Sequence, residues 1–153
     1  MTGEQGENWY SLGMKYFRDG QNYLVVLKKG EELFDCLEQF VRETKTWAGW
    51  FDGLGAALEV ELGFYDLDVQ QYHWKTFPGP LEIAGLHGNI AQKDGQPAFH
   101  AHGSFAGADY RAFGGHIRKL IVAGTCELLI QPLNFKLIRQ LEAETGLPLL
   151  SEA

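Results

Sequence analysis

Three of the chain's five histidines carry its densest chemistry: His100, His102 and His116. Residues two apart on a strand project to one side, so His100 and His102 share a face with Ser104 while Phe99, Ala101 and Phe105 point the other way. Their Cα atoms stand roughly 7 Å apart along a strand, within reach of one ion held at about 2.0 to 2.1 Å per nitrogen. His116 follows Gly114-Gly115, a pair that lets the backbone turn sharply, and is the natural third ligand. Three neutral imidazoles with one open position form a zinc-type catalytic geometry, so zinc or another divalent transition metal is the expected cofactor. The competing reading sets the same side chains on a solvated sheet face or an oligomer interface, hydrogen-bonded to carboxylates or backbone.

The other candidates are subordinate to that cluster. His87 shares a two-residue period with Leu81 and Ile83 and reads as a sheet histidine or a fourth ligand. His73 reads as structural or exposed. Glu82 and Glu127 interrupt apolar strands, where a buried carboxylate needs a partner. Orienting a ligand histidine, or proton transfer beside a metal-bound water, would meet that need, as would a salt bridge or a surface position. Arg111 and Arg118, close in sequence to His116, are candidates to hold a substrate carboxylate. Cys36 and Cys126 lie on apolar stripes without C-x-x-C spacing and read as buried thiols. No G-x-S-x-G, phosphate-binding loop or dinucleotide fingerprint occurs, and Gly53-Leu54-Gly55 reads as a short turn.

The elements that must position these groups follow from periodicity. Asn22 to Leu27 reads as a buried strand. Glu31 to Lys45 reads as an amphipathic helix, with Leu33, Phe34, Leu37, Phe40 and Val41 three and four apart. From Trp47 the period becomes two, with Leu58, Val60, Leu62 and Phe64 alternating against polar neighbours. A turn at Asp66-Leu67-Asp68 leads to a strand over Gln70 to Phe77, and Phe77-Pro78-Gly79-Pro80 breaks the chain before Leu81 to Gln92. Asp94-Gly95 is a two-residue hairpin signal that pairs Leu86 to Gln92 with Pro97 to Phe105. Leu120 to Leu133 reads as a central strand. Residues 134–145 fit either a strand or a helix, with strand slightly favoured. The expected fold is α+β: mostly antiparallel sheet flanked by a few helices, in a single domain over residues 16–150 behind a flexible tail, residues 1–15.

Composition narrows the partners. Thirteen basic against 20 acidic residues give a net charge of -7, which disfavours phosphate backbones. No apolar run approaches a membrane span and no secretory h-region opens the chain, so a cytoplasmic location without membrane contact is expected.

An ordered set of motifs adds a resemblance. Gly53-Leu54-Gly55-Ala56-Ala57, Leu62-Gly63-Phe64-Tyr65-Asp66, Leu81-Glu82-Ile83 with Gly88-Asn89-Ile90, His100-Ala101-His102-Gly103, Gly114-Gly115-His116 and Gly124-Thr125-Cys126-Glu127 follow one another as in the PPC family. The chain resembles this domain of plants and prokaryotes, also called PD1-like or the DNA-binding domain of AT-hook proteins, over roughly Tyr16 to Leu150. The resemblance implies an antiparallel sheet flanked by helices and a homotrimer. It implies, more remotely, the fold of acetolactate decarboxylase, a zinc enzyme with histidine ligands. The family's H-x-H falls on His100 and His102, and its Gly-Gly-His on Gly114, Gly115 and His116. The plant segment Gly-Arg-Phe-Glu-Ile stands here as Gly79-Pro80-Leu81-Glu82-Ile83, with proline for arginine, and no Arg-Gly-Arg hook occurs.

Three functions follow as expectations. The first is a trimeric, metal-binding regulatory or DNA-associated module. The second is a metal-dependent, lyase-like enzyme acting on a small oxo or hydroxy acid. In the third, a purely structural trimer, the histidines line a subunit interface.

Overall fold

A computed structural model of the chain describes residues 13–152. Lys15–Asp19 forms strand β1 and pairs antiparallel with β2, Asn22–Lys28. The expected tail over residues 1–15 is thus corrected at its end, where Lys15 already pairs with Val26. The rest of that expectation, residues 1–12, lies outside the described residues.

Helix α1 spans Leu33–Thr44. It starts two residues later than its periodicity predicts because Glu32 is the cap: its carboxylate accepts from the Phe34 and Asp35 amides at 2.7 and 2.9 Å. The other carboxylate oxygen accepts from the Leu120 amide at 3.1 Å, so one side chain both starts the helix and ties it to the sheet. Lys45 ends the helix in the left-handed region. Leu33, Cys36, Leu37, Phe40 and Val41 are buried against Val25, Leu27, Phe51, Ile90, Leu128 and Ile130.

Long strands make up most of the remainder: β3 (Gly49–Asp66), β4 (Gln71–Lys93), β5 (Gln96–Ala106) and β6 (Ala112–Pro132), then the short β7 (Leu137–Leu141) and β8 (Pro148–Glu152). The path runs β1-β2-β6-β3-β4-β7-β8, and β5 pairs with both β4 and β6, so β3, β4, β5 and β6 close into a ring. Every ladder is antiparallel except the parallel contact of β7 with β4. The ambiguous residues 134–145 contain strand β7 and a turn in which the Glu142 carboxylate accepts from the Glu144 and Thr145 amides.

Three expectations are corrected. Among the described residues α1 is the only helix, so helices do not flank the sheet on both sides. The Pro78-Gly79-Pro80 segment does not end a strand. It lies within β4, where Gly79 and Pro80 have no register partner and proline's missing N–H costs no ladder bond. Gly53-Leu54-Gly55 is also strand, at a bulge in β3; Gly55 has a φ of 147° and its missing side chain leaves room for the Thr125 carbonyl.

Candidate functional site

The register gathers the histidines on the face of the sheet opposite α1. His87 of β4 pairs with His102 of β5, and His102 pairs with His116 of β6. Asn89 pairs with His100. Directly paired residues point to one side with their Cβ atoms about 4.5 to 5.5 Å apart, so His100, His102 and His116 converge without any turn. The Gly114-Gly115 pair is therefore not the expected bend. It lies within β6, where Gly114 packs so closely on the Gly103 carbonyl that a side chain would collide.

The convergence is tight. One nitrogen from each of His100, His102 and His116 lies within 4.8 Å of the other two. The Nε2 atoms of His100 and His102 are 3.1 Å apart, and the three ring centroids are 4.9 to 5.5 Å apart. Nδ1 of His116 is buried and has no hydrogen-bond partner, an unmet need that a ligand would satisfy.

Burial also sets the charge state. Desolvation, then the Arg139 and His102 charges, lower the pKa of His100 to about 4. Desolvation, then His100, His102 and Arg139, lower that of His116 to about 4. The more exposed His102 is lowered by burial and by His87. All three imidazoles are thus neutral near pH 7, the form that ligates a metal.

Aromatic rings flank one side of the cluster. Tyr72 and Trp74 stack at 4.5 Å, and their rings lie 4.9 and 6.0 Å from that of His116. They fit over Gly63, the β3 partner of His116, where an added Cβ would meet the Trp74 and Tyr72 rings at 2.6 and 2.7 Å. The β7–β8 hairpin is fastened beside these rings, with Tyr65 Oη donating to the Thr145 carbonyl at 2.7 Å, Gln70 to the Glu144 carbonyl at 2.9 Å, and the Tyr65 ring 4.8 Å from that of Tyr72. From β7, Arg139 donates to Asn89 Oδ1 at 2.6 Å and to the Pro148 carbonyl at 2.9 Å.

The remaining sequence candidates are not part of the three-nitrogen cluster, although His87 is the cross-strand partner of His102. His87 is exposed, and a bulge between Ile83 and Gly85 turns it away from the Leu81 and Ile83 face that simple alternation assigns it. Glu82 and Glu127 are exposed and need no buried partner. Glu82 pairs with Ala106, four residues along β5 from His102 and thus roughly 13 Å away. Glu127 lies eleven residues along β6 from His116 and pairs with Leu54, whereas His116 pairs with Gly63. The Arg111 side chain is 90% exposed on the loop before β6, near Asp109. Arg118 pairs with Glu61 at 3.3 Å and covers Trp74. The arginine whose charge acts on His100 and His116 is instead Arg139. Its only sequence signal is a lone charge in the apolar run Leu137-Ile138-Arg139-Gln140-Leu141. Cys36 and Cys126 are buried, and desolvation pushes both thiols up to about 12, as inert thiols should be.

Comparison with known proteins places this architecture. A metal-containing protein from Archaeoglobus fulgidus is 33% identical, with 89% of this chain and 96% of that one covered at a TM-score of 0.81. A protein of Ralstonia eutropha JMP134, provisionally described as DNA-binding, is 32% identical over 90% and 96% of the two chains, with a TM-score of 0.85. A plant- and prokaryote-conserved protein of Pyrococcus horikoshii is 26% identical over 95% and 99%, with a TM-score of 0.80. Acetolactate decarboxylase from Bacillus subtilis subspecies spizizenii shares the fold alone, at 12% identity and a TM-score of 0.54 over 72% of this chain and 52% of that one. No curated protein matches by sequence. The Plants and Prokaryotes Conserved (PCC) domain matches residues 14–134, which contain all three histidines, and the chain belongs to that family.

Proposed function

We propose that this protein is a metal-binding PCC-domain module in which His100, His102 and His116 hold one divalent transition metal, with zinc the ion that best suits three imidazoles. The observation that carries the reading is the convergence of three neutral ring nitrogens beside an orphaned, buried His116 Nδ1. A bound ion would supply Lewis acidity at an open position. The protein's own part is to hold three rings in register across β5 and β6, keep them unprotonated by burial, and shield one side with Tyr72 and Trp74. The test is metal content by mass spectrometry on native protein beside His100→Ala and His116→Ala. About one ion per chain, lost in both variants, is expected. Intact protein that holds no metal even after zinc is added would sink the reading.

The module is proposed to act in the cytoplasm as a homotrimer. What supports self-association is an apolar stripe on the uncovered sheet face, where Phe17, Leu24 and Leu129 are consecutive cross-strand partners and are 47%, 44% and 45% exposed. That row continues through Asp52 to His87, His102 and His116, so an interface over the stripe would approach the metal cluster.

Association with DNA is a second reading, favoured by the description of the Ralstonia relative and opposed by the net charge of -7. If it operates, affinity falls steeply as salt rises. Binding that is insensitive to salt, or absent at low salt, excludes it.

A further inference from the structure

Arg139 is a half-buried cation whose hydrogen-bond acceptors, Asn89 Oδ1 and the Pro148 carbonyl, are both neutral. Its Nε is buried without a partner, and among the described residues no carboxylate forms an ion pair with it. A guanidinium removed from water without a counter-charge is costly, and the other cations near the histidines are either paired or exposed. Asn89, which Arg139 grips, is the cross-strand partner of His100, so the guanidinium is anchored one residue pair from the cluster. Its charge is felt at His100, at His116 and at Tyr72.

We propose that Arg139 is the oxyanion anchor of the histidine site, which therefore takes a small anionic ligand whose carboxylate or phosphate group meets the guanidinium while its remainder faces the histidines. The inference rests on reading the cluster as a ligand site. Three neutral imidazoles would leave a divalent ion's charge uncompensated, and Arg139 adds another positive charge beside it, so an anion is the complementary guest. A planar guanidinium has five N–H donors in a fixed fork; two nitrogens of Arg139 are used by neutral acceptors, leaving donors for an oxyanion. The β7–β8 hairpin would then serve to present Arg139, because Arg139 Nη1 holds the Pro148 carbonyl across it.

The test is isothermal titration of pyruvate and, separately, inorganic phosphate into the native protein, both as purified and after zinc loading, with zinc content recorded for every sample. Saturable binding of at least one probe is expected, weakened roughly ten-fold or more in Arg139→Gln and unchanged in the exposed control Arg111→Gln. The stronger probe identifies which oxyanion the site prefers. Arg139→Lys keeps the charge but not the fork, and is expected to bind at intermediate affinity should the glutamine variant fail to fold. Wild-type affinity in either folded variant, or no binding of either probe by wild-type protein in both states, overturns the proposal. Failure to take up zinc refutes the metal reading alone. The anchor is then decided on metal-free protein, where loss of binding in the arginine variants supports it and equal binding refutes it.

Discussion

At the scale of single residues, the site depends on histidines that resist protonation. An imidazole that titrates near 6.5 in the unfolded chain and about 4 when folded binds its proton more tightly unfolded. Acidification therefore favours unfolding. For zinc-free protein, the contribution of His100 and His116 is intact above pH 6.5, declines as pH falls from 6.5 to about 4, and changes little below that. Chemical denaturation at a series of pH values checks this: wild-type stability should fall across that window, and a His100→Gln/His116→Gln variant should show a shallower fall. An equal slope in the two proteins would mean that other groups set the acid response. The same burial moves proton competition for the metal well below the pH near 6.5 that free imidazole implies, so zinc should stay bound at pH 6.

At the scale of elements, two small devices set where the histidines sit. Glu32 caps α1 and accepts from the Leu120 amide of β6, so Glu32→Ala removes a cap and orphans a sheet amide. A loss of about 1 to 3 kcal/mol in denaturant unfolding is expected, with metal content unchanged. Gly63 leaves room for Tyr72 and Trp74, so Gly63→Ala should displace the rings that touch His116 and weaken zinc retention more than it lowers the melting temperature. A chelator competition series beside a thermal melt distinguishes the two effects. The contrast between Glu32 and Gly63 also explains what sequence could reveal. The helix, the Asp94-Gly95 hairpin and the side-by-side placement of His100 and His102 follow from local periodicity and turn chemistry, which any short window contains. The bulges in β3 and β4 do not. They invert alternation between Ile83 and Gly85, which is why His87 faces away from Leu81 and why Gly53-Leu54-Gly55 resembles a turn. Arg139 was illegible for the same reason: its place is set by Asn89, fifty residues away, and by a parallel contact that no local pattern encodes.

At the scale of the whole molecule, one helix covers one face of the sheet and leaves the other to Phe17, Leu24 and Leu129. Replacing Leu129 with Asp places a charge at the inner end of that stripe without touching the core, because Leu129 is exposed while its neighbours Leu128 and Ile130 are buried. Sedimentation should then show wild-type protein as a trimer and the variant as a folded, smaller species; an unchanged mass would move the interface elsewhere. The sheet thus carries histidines of the cluster and an apolar stripe on one continuous row of paired residues, and the histidines bear the central claim. X-ray absorption at the zinc edge of the loaded protein tests that claim most directly. Three imidazole nitrogens at about 2.0 to 2.1 Å, reduced in His116→Ala, are predicted. A shell of sulfur near 2.3 Å, or a zinc signal unaltered by losing His116, would contradict it.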